Sequence, residues 1–181
     1  MRRAGLLIGL VLAGIVACDS GHRPPLVSGP AIFDVTYANQ AWGYVLRGWF
    51  IDERGDIYRF DHSDAAWTAD ADTIGEAALL EKFSHGRRLV GHVPAGELAG
   101  MIARLPEAAA GALTPVELRC ADGGTTTDQA WVRLASGHAY ARVLLHQRGD
   151  LWRANLSPAA ATIYAWLSHA TGDTLPGCGE R

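Results

Sequence analysis

Runs of apolar residues broken by short polar loops mark two regions of the chain as β-structure. In the first region, two runs rich in β-branched and aromatic residues flank the segment ERGD at residues 53–56. Such runs on both sides of a short glycine-containing loop predict an antiparallel hairpin. A two-residue Arg-Gly loop sets its register, which pairs Trp49 with Phe60 and Ile51 with Tyr58. The hairpin would therefore have one aromatic and apolar face.

The tripeptide Arg-Gly-Asp recurs at residues 148–150, and the sequence around it predicts a three-stranded antiparallel meander. Two-residue loops at Ser136-Gly137 and Arg148-Gly149 sort its side chains consistently. One face, the predicted core, collects only apolar residues: Val132, Leu134, Ala141, Val143, Leu145, Trp152, Ala154 and Leu156. Both tripeptides are interpreted as turns with Gly at the bend, rather than as a recognition motif. A duplicated hairpin unit and two independent turns both remain open.

Three segments carry helical signals. The pattern Thr73-x-x-Glu76 has the spacing of a capping box and precedes the sequence AALLEKF. A second helix is predicted from residue 94 to residue 105. The pair Ser157-Pro158 supplies an N-cap and a first-turn proline to a third helix. Hairpin, helices, meander and helix, in that order, predict an α+β fold: antiparallel hairpins and a meander with about three helices packed on one sheet face.

The N-terminus has a different pattern from the rest of the chain. Arg2 and Arg3 precede an apolar run at residues 6–17. This run is too short to cross the roughly 30 Å hydrocarbon layer with margin, and it is typical of a signal peptide. It ends in Ile15-Val16-Ala17-Cys18, which resembles the lipobox of bacterial lipoproteins.

The resemblance to bacterial lipoproteins covers the first twenty residues and implies where the protein resides. In this family the cysteine is acylated and becomes the new N-terminus, so the resemblance implies a lipid on Cys18 and removal of residues 1–17. Several acyl chains give stable anchoring. Asp19 matches a rule of the enterobacterial form that favours the periplasmic side of the inner membrane, but other lineages differ and the outer membrane stays open. The alternative is an ordinary signal peptide with an incidental Cys18.

Composition divides the remaining chain into two parts. Residues 18–30 are rich in Pro, Gly and Ser and predict a flexible tether. Residues 31–181 have the length and apolar content of one α+β domain with its own core.

Loss of Arg2 and Arg3 with the signal peptide changes the formal net charge from −3 to about −5. This charge argues against nucleic acid as a partner, so the predicted membrane contact is through the lipid on Cys18.

Two cysteines remain once Cys18 is assigned to lipid. In an oxidising envelope the even pair Cys120 and Cys178 predicts a disulfide that ties the C-terminal segment to the domain. The alternative is a free thiol at Cys120, because a metal site would need further ligands close by.

The sequence contains no motif that identifies a reaction. Neither G-x-S-x-G nor HExxH occurs, and residues 70–81 match an EF-hand loop only in part because Ile74 stands at a ligand position. The histidines are interpreted as surface or structural residues, and the carboxylates around the first hairpin as a solvated edge. We therefore predict no catalytic residue, no metal site and no cofactor.

The outward face of the predicted meander is the most unusual feature. Its register places Trp131 opposite Arg142 and Arg133 opposite Tyr140, as two cross-strand cation–π pairs. Such pairs either stabilise an exposed sheet or form a surface that docks an envelope protein or a glycan. The sequence thus predicts a lipid-anchored envelope protein that acts as a binding module. The alternatives are an envelope enzyme that uses dispersed carboxylates or histidines on cell-wall or other polymers, and a purely structural lipoprotein.

Overall fold

A computed structural model describes residues 31–41, 43–63 and 71–172. The signal peptide, Cys18, the tether at 18–30 and Cys178 lie outside these residues. Within them the elements, in chain order, are β1 (Ala31–Asn39), β2 (Val45–Ile51), β3 (Asp56–Asp61), β4 (Thr73–Gly75), α1 (Glu76–Lys82), β5 (Arg88–His92), α2 (Ala95–Ile102), α3 (Leu105–Ala110), β6 (Glu117–Leu118), β7 (Thr125–Arg133), β8 (Ala139–Gly149), β9 (Leu151–Ala154) and α4 (Pro158–Thr171).

The strands form one antiparallel sheet in the order β5-β3-β2-β1-β7-β8-β9-β6, and β4 pairs with the beginning of β8. The central strand β1 pairs with β2 on one side and β7 on the other. No pattern in the sequence predicts a strand at β1. Its first seven residues are all buried, although Asp34 and Thr36 are among them. It therefore shows neither the alternation of a half-exposed strand nor an uninterrupted apolar run.

Helices cover both faces of the sheet, and each face has its own core cluster. One face, which we call the helical face, packs against α2, α3 and α4. Its core cluster includes Phe33, Val35 and Val143 from the sheet and Ile163 and Leu167 from α4. The opposite face, which we call the aromatic face, packs against α1. The buried residues of its core cluster are Ile32, Leu46, Phe50, Phe60, Ile74, Leu79, Phe83, Trp131 and Tyr140. The predicted α+β class, with three helices on one face, is confirmed, and α1 lies on the opposite face.

The last helix follows its sequence signals closely. The hydroxyl of Ser157 accepts hydrogen bonds from the backbone N–H groups of Ala159 (3.1 Å) and Ala160 (3.4 Å). Pro158 occupies the first turn, and Gly172 ends the helix with a left-handed φ of +59°. The predicted N-cap of α4 is confirmed because the whole signal is local.

The predicted capping box ahead of α1 is wrong. Thr73 belongs to β4, and the N-cap of α1 is Gly75, which has no side chain to cap the helix. The carboxylate of Glu76 instead accepts a hydrogen bond from Arg133 (2.9 Å). The predicted helix at 94–105 begins as expected but ends at Ile102, and α3 follows as a separate element.

The first Arg-Gly-Asp segment forms a three-residue loop rather than a two-residue loop. The N–H of Asp52 donates to the carbonyl oxygen of Asp56 (3.0 Å), and Gly55 has a φ of +93°. Three-residue hairpin loops commonly place a glycine in this conformation. The register consequently pairs Trp49 with Arg59 and Ile51 with Ile57, one residue away from the predicted pairs with Phe60 and Tyr58.

The meander prediction is confirmed at one loop and wrong at the other. Strands β7 and β8 pair Trp131 with Arg142 and Arg133 with Tyr140, as predicted. Beyond them, β8 continues as far as Gly149 beside β7, so residues 148–149 are not a two-residue loop. The pairing of β9 with β8 is therefore shifted, and Leu156, which was predicted to lie in the core, is exposed.

A buried ion pair lies at the centre of the aromatic face. The carboxylate of Asp34 is fully buried and receives a hydrogen bond from Nζ of Lys82, the only lysine of the chain, at 2.8 Å. Three more donors complete its shell: Nε1 of Trp131 (2.7 Å), Nε2 of Gln129 (3.1 Å) and the hydroxyl of Thr36 (3.0 Å). These contacts join β1, β7 and α1, because a buried charge needs a partner and hydrogen bonds.

We predict that Lys82→Met lowers the free energy of unfolding by about 3–5 kcal/mol, because it leaves the Asp34 charge buried without its counter-ion. Urea denaturation measures this change. In the double variant with Asp34→Asn, where neither charge remains, the loss should be smaller than for Lys82→Met alone.

Glu117→Gln is the matched control, because it removes the exposed ion pair with Arg119 (3.0 Å). Exposed pairs of this kind contribute at most about 1 kcal/mol. If Lys82→Met cost no more than this control, the buried pair would not be a stabilising element of the fold.

Candidate functional site

A cleft of about 300 Å³ opens on the aromatic face, between the loop after β2, helix α1, the end of β7 and the start of β8. We call it the Glu53 cleft. Its apolar wall consists of Ile32, Phe50, Leu80 and Phe83. The rings of Phe50 and Phe83 stack with centroids 4.3 Å apart, so this wall is formed by packed core residues. Its polar wall carries six charged side chains, of which Asp52 and Arg54 pair with each other (3.3 Å); the others are Glu53, Glu76, Arg87 and Arg133.

One end of the cleft is formed around the guanidinium group of Arg133. Its NH2 nitrogen donates to Oε1 of Glu53 (3.0 Å), and its NH1 nitrogen donates to Oε1 of Glu76 (2.9 Å). The hydroxyl of Tyr140 also donates to Glu53 (3.2 Å). Burial, followed by the charge of Glu53, raises the pKa of Tyr140 to about 12, and the hydrogen bond that Arg133 donates to Glu53 raises the pKa of Arg133. Two carboxylates thus share one cation, which leaves this end negative.

The other end of the cleft carries an excess positive charge. The guanidinium carbon of Arg87 lies 3.8 Å from the ring centroid of Tyr58 and 5.3 Å from that of Phe50. No carboxylate among the described residues lies within ion-pairing distance of Arg87. Stacking on aromatic rings holds this cation at the cleft wall and leaves its N–H donors available.

The predicted docking face is wrong as an exposed surface. Trp131 and Tyr140 are only 1% and 2% exposed, because α1 covers this side of the sheet. The predicted cation–π pair of Arg133 with Tyr140 is present, with the guanidinium 4.9 Å from the ring. Arg133 and Tyr140 line the cleft, whereas Arg142 binds Asp72 (3.1 Å) outside it.

The sequence carries no signal that brings the residues of the cleft together. Its patterns place Glu53 on a solvated edge and Glu76 in a capping box, and they give Arg87 no role. These three residues come from a hairpin loop, a helix start and the segment before β5, and Arg133 lies at the end of β7. The predicted cross-strand pair of Arg133 and Tyr140 is the one local sequence signal for this site.

One group of side chains has the composition of a metal site. Ligand atoms of His62, Glu81 and His85 all lie within 4.8 Å of one another. Spacing along the chain predicts no metal site here, because His62 is distant in sequence from Glu81 and His85. Cys120 is disulfide-bonded, while its predicted partner Cys178 lies outside the described residues.

A second ionisable group lies on the helical side of the sheet, away from the cleft. Asp128 is fully buried, and its Oδ2 accepts a hydrogen bond from NH1 of Arg148 (2.7 Å). Burial raises the pKa of Asp128 to about 7, although Arg148 opposes the shift. His146 pairs with Asp128 across the strands, and burial, with the nearby Arg148, lowers its pKa.

The chain matches no protein-family model, no curated protein and no solved structure. Among the described helices, none is long and apolar enough to span a membrane. The function must therefore be inferred from the site itself.

The raised pKa of Asp128 predicts a pH dependence of stability. Between about pH 4 and about pH 7 the folded chain retains a proton that the unfolded chain releases, so this group's contribution to stability falls as pH rises through that window. Asp128→Asn cannot titrate and removes this contribution. Urea denaturation across the window should show the wild type losing stability relative to Asp128→Asn by a few kcal/mol. A constant difference between the two proteins would contradict a raised pKa.

Proposed function

We propose that this protein is a lipid-anchored component of the bacterial cell envelope, and that its domain is a binding module. Its Glu53 cleft takes a small ligand with an apolar body and charges of both signs, which is the chemistry of a short peptide. The observation that carries the proposal is the cleft, in which an aromatic wall lies between a negative end and a positive end.

Two features support the envelope location. The sequence Ile15-Val16-Ala17-Cys18 resembles a lipobox and follows two arginines and an apolar run. Independently, Cys120 is disulfide-bonded, and structural disulfides are typical of oxidising compartments.

The charges of the cleft favour a ligand that carries both signs. At one end, Glu53 and Glu76 share the single cation of Arg133, so an ammonium group would complete the balance. At the other end, Arg87 offers a planar set of donors that suits a carboxylate. A ligand with only one charge would leave the opposite end of the cleft without its counter-charge.

The apolar wall limits the size and kind of the ligand. A cleft of about 300 Å³ is at the lower end of the volumes of small-molecule sites. Leu80 is 56% exposed on its rim, so an apolar ligand group would cover surface that is otherwise in water. The stacked rings of Phe50 and Phe83 form the base on which such a group would pack.

The binding proposal predicts that leucyl-phenylalanine binds in the millimolar range or tighter, and that it binds better than its N-acetylated or C-amidated forms. Chemical shifts of the isotope-labelled protein measure each affinity. Arg87→Ala should remove the preference for a free carboxylate, and Glu76→Gln should weaken the preference for a free amine.

Arg104→Ala is the matched control, since Arg104 is an exposed arginine outside the cleft. It should leave all three affinities unchanged. Equal binding of the free and capped dipeptides, or shifts outside the cleft residues, would count against the proposed ligand class.

The location proposal predicts that the protein expressed in a bacterial host incorporates labelled fatty acid and partitions into the detergent phase of a Triton X-114 extract. Cys18→Ala should abolish both, because it removes the acceptor thiol. Cys178→Ala is a control that retains Cys18. If Cys18→Ala still carried the label, the lipobox assignment would be wrong.

A further inference from the structure

We propose that His62, Glu81 and His85 form a binding site for a divalent transition-metal ion, with Zn²⁺ as the best match. The three side chains come from two separate segments, the end of β3 and the end of α1 with the turn that follows it. Their ligand atoms converge to within 4.8 Å of one another. This site is separate from the Glu53 cleft, since none of the three residues lines it.

His62 is the fixed member of the site. It is almost completely buried, and its backbone N–H donates to the carbonyl oxygen of Leu46 at 2.7 Å. A buried imidazole whose backbone is fixed by the sheet loses little freedom when it coordinates an ion. The site thus has one preorganised ligand.

His85 and Glu81 lie against His62 from the side of α1. Nε2 of His85 is 3.3 Å from Oε1 of Glu81, one helical turn earlier, and the rings of His85 and His62 have centroids 4.0 Å apart. The backbone of His85 is tied to the same strand end, because its carbonyl oxygen accepts a hydrogen bond from the N–H of Asp61 (3.2 Å). Both segments are therefore held together by main-chain contacts.

The donor set and its spacing fit zinc. Zn²⁺ binds imidazole nitrogen and carboxylate oxygen at about 2.0–2.2 Å, which in tetrahedral geometry places the ligand atoms about 3.4 Å apart. The His85–Glu81 pair already has this separation. The ligand atom of His62 lies within 4.8 Å of the other two, so side chains must rotate before all three can coordinate one ion. Two histidines and one glutamate leave the fourth position for water or another ligand.

A bound ion would join α1 to the sheet. The site links the end of the helix that carries Lys82 to the end of β3, so metal binding should also raise the midpoint of thermal unfolding. This readout is independent of any activity.

The test uses the full chain purified in detergent, with Zn²⁺ affinity measured by competition with a chromophoric chelator at about pH 7.5. Glu81→Gln and His85→Gln change partly exposed residues and should fold normally. Each should weaken Zn²⁺ binding by at least tenfold, the lower limit found even for outer-shell substitutions. His62→Gln should do the same if it folds.

His92→Gln is the matched control: His92 is an exposed histidine paired with a carboxylate, that of Asp56 (3.0 Å), and it should keep wild-type affinity. Co²⁺ bound to the wild type should show the intense visible bands of a four-coordinate site, which Glu81→Gln and His85→Gln should lose. The proposal is overturned if either variant binds Zn²⁺ as tightly as the wild type, or if Co²⁺ gives only the weak spectrum of a six-coordinate ion.

Discussion

The buried carboxylate of Asp34 is the constraint on which the aromatic face depends. It lies in the middle of the central strand, where it cannot reach water, and an unpaired charge there would be prohibitive. The counter-ion comes from Lys82, at the end of α1. This ion pair helps to hold α1 against the face of the sheet opposite α2, α3 and α4. An apolar residue at position 34 would leave α1 held by its core contacts and by the ion pair between Glu76 and Arg133.

The position of α1 in turn creates the Glu53 cleft. The helix is seven residues long, so it covers Trp131 near the middle of the sheet but leaves Arg133, at the end of β7, partly exposed. Trp131 and Arg133 lie on the same side of β7, two residues apart. The first points its indole N–H at Asp34, and the second extends to Glu53 and Glu76 beyond the helix start. Two neighbouring positions on this side of β7 therefore differ in role: Trp131 stabilises the fold, and Arg133 lines the candidate binding cleft.

Local signals predicted the parts of this structure that depend on few residues. The N-cap Ser157 and the register that opposes Arg133 and Tyr140 are set by adjacent residues and by one turn, and both are confirmed. The central strand was missed because its polar residues are buried by partners distant in sequence. The predicted register of β2 and β3 is wrong because both faces of these strands carry aromatic and apolar residues, so hydrophobicity does not distinguish one register from the next. The cleft is likewise not predicted, because Glu53, Glu76 and Arg133 meet only through partners distant in sequence.

The two Arg-Gly-Asp segments show how one tripeptide can satisfy different constraints. In both, a Cβ on the glycine would collide with a backbone oxygen: that of Val93 at 2.5 Å for Gly55, and that of Gly124 at 2.2 Å for Gly149. The neighbouring carboxylates differ in use, since Asp56 contacts the ring of His92 whereas Asp150 accepts the backbone N–H groups of Gly123 and Gly124. Close approach of another chain segment selects glycine in each case, but the loops differ in length and pairing. Two independent solutions account for the recurrence better than a duplicated hairpin does.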